Sequence, residues 1–353
     1  MKCPKCSSSN IKSEGNRSLY SKSVNFDFFV CEDCGFQFAE NPATPHPSPE
    51  PKTALPSREE LLEKIRQKHQ VEDLRQEKIN AFAGEVALPH PPLFTALKAS
   101  IKNSPGDVSA HVQVLQQVPI SANRLLNLVN CPDFFDDKTA DDFSDLFQKF
   151  PHEELLHLLL AIEMVDLIHL PPDVPVSRQD FWRRELAIGL SAHAIARFLG
   201  ENGAESFFVA GVFNHIGRLA IVIRQPELEK RAQAQSRNSR TPLFETEERL
   251  LGFNHSQVGG ALLRQWEFKE TLIEGVIHYR NPHKCRLPSQ EAHTLHISEI
   301  IASDLKLGNT GEPFPPKPDM KSVKILGITR SMLATIKESV LSRINDIQGI
   351  FLP

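Results

Sequence analysis

Two pairs of cysteines at the start of the sequence restrict what the first residues can form. The pairs read Cys3-x2-Cys6 and Cys31-x2-Cys34. Each two-residue gap allows a tight turn that aims both sulfurs at one point, and four thiolates match the tetrahedral coordination that Zn2+ prefers. A segment of about forty residues buries too little apolar surface to fold alone. The pattern therefore predicts a small fold held together by one zinc ion.

The segment between the two pairs has the pattern of a β-strand. Val24, Phe26, Phe28 and Val30 recur with a period near two, which is typical of a half-buried strand. With the cysteine pairs, this part of the chain resembles a zinc ribbon, and the resemblance covers residues 1–40. Four cysteines leave no open coordination position, so a structural ion is expected. A thiol–disulfide switch is the alternative.

A proline-rich segment follows the predicted ribbon. Residues 41–57 contain six prolines and almost no large apolar side chain. Proline fixes φ and removes an amide donor, so this segment is predicted to be an extended linker. Ser57 and Glu60 then form a capping-box pattern that begins a charged helix. Because its apolar stripe is thin, the segment 58–83 is predicted to be a solvated connector helix, with a partner-binding helix as the alternative.

Beyond the connector, apolar residues recur at helical spacing. Leu155 to Ile168 is apolar enough for a buried helix, and Leu186 to Phe198 shows a repeat of four. The predicted fold is therefore an all-α domain over residues 84–305, preceded by the small β ribbon. Residues 306–353 are predicted to form a loop and a C-terminal helix.

Composition and charge narrow the compartment and the partners. The net charge of −4 and the pI near 6.4 give no reason to expect nucleic acid or an anionic membrane. The most apolar stretch, Leu155 to Leu170, is too short to cross a bilayer and carries two acidic residues. Cys131 and Cys285 are scattered single cysteines, so no disulfide framework is expected. With no secretory signal pattern at the N-terminus, a cytoplasmic location is predicted.

Several short sequence motifs follow one another at characteristic intervals in the helical region. Phe181-Trp182-Arg183-Arg184 begins one helix, and Ala210-Gly-Val-Phe-Asn-His-Ile-Gly217 forms a second stretch. Gly252-Phe-Asn-His255 follows, and Trp266 and His278 come after it. This framing resembles that of HD-type phosphohydrolases. With the opening residues 88–92 and the helix that ends at Asn130, it resembles more closely the HDOD family, over about residues 84–305.

The resemblance implies a change in chemistry. Active HD enzymes bind divalent metal through a histidine, an adjacent His-Asp pair and a later aspartate. Here the corresponding residues are Arg184, the pair Asn214-His215, and Glu299. A guanidinium has no lone pair to give to a metal. The resemblance therefore implies a non-catalytic output or scaffold protein of bacterial signalling that acts on protein partners.

Three interpretations of the remaining polar residues stay open. His215, His255, His278 and Glu299 could form a remodelled metal site, which would make the protein a metal-dependent phosphohydrolase. The same groups could instead hydrogen-bond one another and Arg184 in a remnant pocket. The pocket could also bind a nucleotide or second messenger, with Arg184 holding a phosphate. Independently of these, the ribbon could make the protein a nucleic-acid-binding regulator.

The sequence also leads to predictions for two other groups of residues. His193 is predicted to lie on the solvated side of its helix. His283 and Cys285 lie in a predicted loop with no second pair of ligands nearby in the sequence, so Cys285 is expected to be a free thiol.

Overall fold

A computed structural model gives the fold. It describes residues 1–18, 25–40, 58–86, 88, 91–132, 134–135, 138–171, 174, 176–285 and 289–352. The chain divides into two compact units, Met1–Gln67 and Lys68–Pro353. The predicted linker over 41–57 and its capping residue Ser57 lie outside the described residues.

The first unit contains a three-stranded antiparallel sheet. Its strands are β1 (Ile11–Ser18), β2 (Asn25–Cys31) and β3 (Gln37–Glu40), and their order in the sheet is β1-β2-β3. Cys31 ends β2, so the sheet leads directly into the second cysteine pair. The strand predicted between the two cysteine pairs is therefore confirmed as β2.

The rest of the described chain is helical, which confirms the all-α class predicted for it. The helices are α1 (Arg58–Val86), α2 (Pro92–Asn103), α3 (Val108–Leu115), α4 (Pro119–Val129), α5 (Phe143–Lys149), α6 (His152–Leu167), α7 (Arg178–Phe198), α8 (Ala204–Val212), α9 (Ile216–Arg224), α10 (Pro226–Ser239), α11 (Leu243–Leu251), α12 (His255–Gln265), α13 (Glu270–His278), α14 (Gln290–Asp304), α15 (Met320–Ile325) and α16 (Arg330–Phe351). A 3-10 turn spans Pro282–Lys284.

Helix α7 lies at the centre of the domain. It begins after Ser177, whose hydroxyl accepts a hydrogen bond from the amide of Asp180, a usual way to satisfy a free amide in the first turn. It packs against α8, α14 and α16, so its buried residues lie on several sides rather than along one stripe. The prediction that His193 is solvated is therefore wrong. Its side chain is fully buried and stacks on the ring of Phe134 at 4.8 Å.

The C-terminal part of α1 belongs to the core of the second unit. Ile79, Phe82, Ala83 and Val86 are buried, and the rings of Phe82 and Phe253 lie 5.0 Å apart. The predicted solvated connector is thus wrong for its last two turns, where an apolar face meets the helical domain.

The segment after α14 also packs into this core. Buried apolar residues follow one face of α16: Ile336, Val340, Ile344, Ile347 and Phe351. That face lies against α7, α4 and α6. The C-terminal helix therefore shares one hydrophobic core with the helices over residues 84–305.

One apolar stretch of the described residues is long enough to cross a membrane. It spans Ala204–Arg224, and 89% of its most apolar window is buried inside the protein. The stretch contains two helices, α8 and α9, and it includes residues that lie at the centre of the domain. Core helices pass the same length and composition test, so it is weak evidence for a membrane span.

Candidate functional site

Two helices cross at the centre of the domain with almost no space between them. A Cβ added to Gly217 in α9 would lie 2.1 Å from the carbonyl oxygen of His255 and 2.3 Å from the amide nitrogen of Gly259. Only glycine permits this approach. Because His215 directly precedes α9 and His255 begins α12, the crossing brings the two imidazole rings to 5.7 Å.

Each of these histidines is held by a buried glutamate in the same way. The amide of His215 donates to Glu185 Oε2 at 2.9 Å, and its Nδ1 lies 2.7 Å from Glu185 Oε1. The amide of His255 donates to Glu247 Oε2 at 2.9 Å, and its Nδ1 lies 2.6 Å from the same oxygen. All four side chains are inaccessible to solvent. The glutamates fix both rings, with the Nε2 atoms directed away from the carboxylates.

Tyr279 joins the two imidazoles. Its hydroxyl oxygen lies 2.9 Å from His215 Nε2 and 3.4 Å from His255 Nε2. The same oxygen accepts a hydrogen bond from Arg280 Nε at 2.8 Å. Tyr279 is fully buried. We call this group the histidine network: Glu185, His215, Glu247, His255, Tyr279 and Arg280.

A carboxylate from a distant loop balances the arginine. Arg280 Nη2 donates to Glu312 Oε2 at 2.7 Å, and the two side chains are only 7% and 3% exposed. A second buried ion pair lies in the same domain, between Arg218 Nη2 and Glu229 Oε1 at 2.9 Å. Buried guanidinium groups stay charged, so each requires such a partner.

Burial shifts the pKa values of the histidines and glutamates in the network so that their neutral forms are favoured. Burial lowers the pKa of His255 to about 3, and it lowers the pKa of His215 well below its usual range. Burial raises the pKa of Glu247 to about 8 and raises that of Glu185 well above its usual range. Neutral carboxyl groups are weak metal ligands, because the metal must first displace the proton.

The predicted pocket residues divide between this network and its surroundings. Glu299 is buried, with Oε2 4.0 Å from His215 Nε2, and burial raises its pKa to about 7. Asn214 is 1% exposed, and among the described residues neither amide atom of its side chain has a hydrogen-bond partner. Arg184 lies at the edge, where Nη1 donates to Ser303 Oγ at 3.3 Å.

His278 points elsewhere. Its Nε2 lies 3.4 Å from Glu274 Oε2, and its partly exposed side chain lines a groove beside α1. The structure thus brings His215, His255 and Glu299 together, with Asn214 next to them in the chain. From α7, the side chain that contacts His215 is Glu185, one residue after Arg184.

Sequence reasoning missed the glutamates of the network, Tyr279, Arg280 and Glu312. A weak signal existed for Tyr279, because it is one of only two tyrosines in a chain with 22 phenylalanines. A buried tyrosine requires a polar partner for its hydroxyl. Glu312 lies in a Gly/Pro-rich loop whose sequence gives no indication of the partner that it contacts.

The space between the two histidines of the network is filled by Tyr279. Each Nε2 atom faces the hydroxyl of Tyr279, and the residues that surround it are buried. Of the residues that the structure describes, only the four N-terminal cysteines bring three or more metal-ligating atoms within 4.8 Å of one another. In this arrangement the members of the histidine network hydrogen-bond one another, and Arg280 adds a buried positive charge.

Comparison with known proteins places this architecture in a family. The family model of the HDOD domain matches residues 88–282, more than half of the chain. The chain belongs to the HDOD family. All six members of the histidine network fall between these bounds, whereas Glu299 and Glu312 lie beyond the matched HDOD region.

Solved structures share the HDOD fold at low sequence identity. An HDOD domain protein of unknown function from Geobacter sulfurreducens has a TM-score of 0.61 and 17% identity, over 80% of this chain and 99% of that one. A protein from Shewanella amazonensis, provisionally named a phosphohydrolase, has a TM-score of 0.57 and 21% identity, over 76% and 96%. A protein from Marinobacter aquaeolei, provisionally named a signal transduction protein, has a TM-score of 0.56 and 16% identity, over 76% and 60%.

One curated protein also matches part of the chain. An uncharacterized protein of Treponema pallidum is 22% identical over 190 residues, which is 53% of this chain and 36% of that protein. The match therefore spans only about a third of the curated relative's length. It adds no statement about activity.

The second candidate site lies outside the HDOD domain, in the first unit. Cys3 Sγ lies 3.7 Å from Cys34 Sγ, and Cys6 Sγ lies 3.5 Å from Cys31 Sγ. A tetrahedral Zn2+ site with bonds of about 2.3 Å has ligand–ligand edges of about 3.8 Å. The donor set and its spacing therefore fit a metal ion of this kind. All four cysteines, and also Cys131 and Cys285, are free thiols in the structure.

Proposed function

We propose that the protein is a non-catalytic output or scaffold protein of a signalling pathway, which acts by binding proteins or a small ligand. The observation that supports this most is the position of Tyr279, whose hydroxyl oxygen is 2.9 Å from His215 Nε2 and 3.4 Å from His255 Nε2. Metal-assisted phosphoryl chemistry requires free ligand atoms and an open coordination position. Here the Nε2 atoms that a metal would use face a buried phenol.

The ribbon carries a separate proposal. We infer that Cys3, Cys6, Cys31 and Cys34 hold one Zn2+ ion that stabilises the fold of the first unit. Four thiolates saturate a tetrahedral ion, so the ion would have a structural role. Cysteines that occur as two metal-binding pairs and two isolated residues suit a reducing compartment, and we propose a cytoplasmic location.

An assay for turnover tests the non-catalytic role. Purified full-length protein is incubated with Mn2+ or Mg2+ and a panel of nucleotides and phosphodiesters. We expect no hydrolysis product, neither phosphate from the nucleotides nor phosphomonoester from the phosphodiesters, above a protein-free blank. The matched control is His215→Ala, which should leave this background unchanged.

The rival activity has a clear signature in the same assay. The rival is a metal-dependent phosphohydrolase, and the Shewanella relative, with which the chain shares a fold, is provisionally named a phosphohydrolase. Turnover that His215→Ala abolishes, or a tightly bound cation that touches His215 or His255, would overturn the non-catalytic proposal. Such a result would require Tyr279 to leave its position between the two rings.

A further inference from the structure

The loop between α14 and α15 is seated on the HDOD domain along much of its length. We call Leu307–Asp319 the strap. The amide of Asn309 donates to the carbonyl of Asp180 at 3.0 Å. Gly311 has a positive φ of 83°, and a Cβ there would lie 2.8 Å from Arg218 Nη2. The amide of Asp319 donates to His296 Nε2 at 3.2 Å. These contacts join both ends of the strap to the helical domain.

Near its middle, the strap places the carboxylate of Glu312 among groups of positive charge. Glu312 accepts hydrogen bonds from Arg280 Nη2 at 2.7 Å, from the amide of Phe314 at 3.0 Å and from the amide of Leu243 at 3.4 Å. Leu243 is the first residue of α11, a helix of nine residues. A guanidinium and the positive end of a helix dipole therefore meet at the same carboxylate. We define the notch by Arg280 and the N-terminus of α11.

The notch belongs to the domain, whereas its anion comes from the strap. Arg280 is held independently of Glu312, because its Nε donates to Tyr279 Oη at 2.8 Å and its guanidinium carbon lies 5.4 Å from the centre of the Phe244 ring. Glu312 has no such anchor beyond the strap and the notch among its described contacts. It occupies the site as a tethered anion would.

The charge of Arg280 limits how the strap can detach from the helical domain. A buried guanidinium cannot lose its proton near neutral pH. Removing Glu312 without replacement would leave an uncompensated buried charge, which is strongly unfavourable. Loss of the Glu312 contact is therefore unfavourable unless another anion takes its place at Arg280.

We propose that the notch of Arg280 and the α11 N-terminus is a binding site for a phosphate group, which replaces Glu312 and releases the strap. A phosphate suits this position because it accepts from the guanidinium fork and from helix amides together. The inference rests on the proposed function, since it names the ligand class and the switch of a protein that acts by binding.

Replacement of Glu312 by a phosphate would affect the histidine network directly. Arg280 donates to the same Tyr279 hydroxyl that contacts His215. A shift of the guanidinium toward a phosphate moves or breaks that bond. Asn214, which directly precedes His215, would also favour a rearrangement, because its buried side chain has no hydrogen-bond partner among the described residues.

Binding of inorganic phosphate to the full chain tests the proposal by calorimetry, without added metal. Glu312→Gln removes the competing charge and keeps the side-chain shape, so we expect phosphate to bind at least tenfold more tightly than to the wild type. The matched control is Glu338→Gln, at an exposed position of α16, which should bind phosphate as the wild type does. Adding Arg280→Gln to Glu312→Gln should abolish the gain.

Hydrogen exchange of the wild-type protein provides a second measurement that needs no variant. Saturating phosphate should speed exchange of the strap amides at least tenfold, whereas acetate at equal ionic strength should not. Equal phosphate affinity in Glu312→Gln and Glu338→Gln, or a strap that exchanges no faster with phosphate, would overturn the proposal. An equal effect of acetate would overturn the assignment to phosphate. Neither result involves turnover, so the non-catalytic role would stand.

Discussion

Gly217 sets the distance between the two histidines of the network. Any side chain at this position meets backbone atoms of α12, namely the His255 carbonyl at 2.1 Å and the Gly259 amide at 2.3 Å. Backbone atoms cannot move aside as a flexible side chain can. We expect Gly217→Ala to lower the free energy of unfolding by about 3 kcal/mol, the upper end of the usual effect of overpacking. Urea denaturation measures this change.

The control is a helical glycine with open space around it. Gly349 in α16 has no atom within 4 Å of an added Cβ, so Gly349→Ala should leave stability unchanged or raise it by less than about 1 kcal/mol. If Gly217→Ala proves as mild as Gly349→Ala, the close crossing of α9 and α12 is wrong.

Individual residues of the site differ in how far sequence could identify them. His215 and His255 stand in a spaced pattern of the family, and Glu299 follows from the same pattern. Glu185 and Tyr279 became visible only when the helices were assembled, because their role depends on the rings that they contact. Counting from Trp182 led to Arg184, whereas the direction of α7 turns the next side chain toward His215.

Helix α1 differs in character along its length. Phe82 is 7% exposed and contacts the ring of Phe253, whereas Leu74 is 59% exposed. We expect Phe82→Ala to lower the free energy of unfolding by about 3–4 kcal/mol, because it removes buried apolar surface and leaves a cavity. Thermal or urea unfolding of the full chain provides the measurement.

Leu74→Ala supplies the comparison on the same helix. A surface substitution of this kind changes stability by no more than about 0.5 kcal/mol. Equal losses for the two variants would mean that the last turns of α1 do not belong to the core.

Local periodicity predicted the positions of the helices well, but it did not predict which elements pack against them. The buried helix predicted over Leu155 to Ile168 is α6 (His152–Leu167), and the predicted C-terminal helix is α16. The end of α1 was misjudged because the surface that covers it comes from Leu251 and Phe253, about 170 positions later. A charged sequence with few apolar residues gives no indication of such a distant partner. His193 was misjudged for a related reason, since α7 is covered on several sides.

The two compact units of the chain should respond separately to loss of metal. The cysteine cluster lies in Met1–Gln67, whereas the hydrophobic core described here lies in Lys68–Pro353. A small unit clipped by zinc loses its fold with the ion. We expect Cys31→Ser to reduce bound zinc from about one ion per chain to none, while the unfolding of the helical unit stays unchanged.

Zinc analysis and circular dichroism of the same samples check this expectation. Cys285→Ser is the matched control, because Cys285 is a half-buried thiol of the helical unit, and its zinc content should equal that of the wild type. Persistent zinc in Cys31→Ser would contradict the assignment of the cluster. A large drop in the melting temperature of the helices would contradict the independence of the units.

The burial of the two His–Glu pairs has a practical consequence for spectroscopy. In each pair one proton lies between an imidazole Nδ1 and a carboxylate oxygen, at 2.7 Å for His215 and 2.6 Å for His255. Water reaches neither proton, so both should persist long enough to give separate low-field resonances in proton NMR. These two signals would form an intrinsic reporter at the heart of the domain, readable in unlabelled protein.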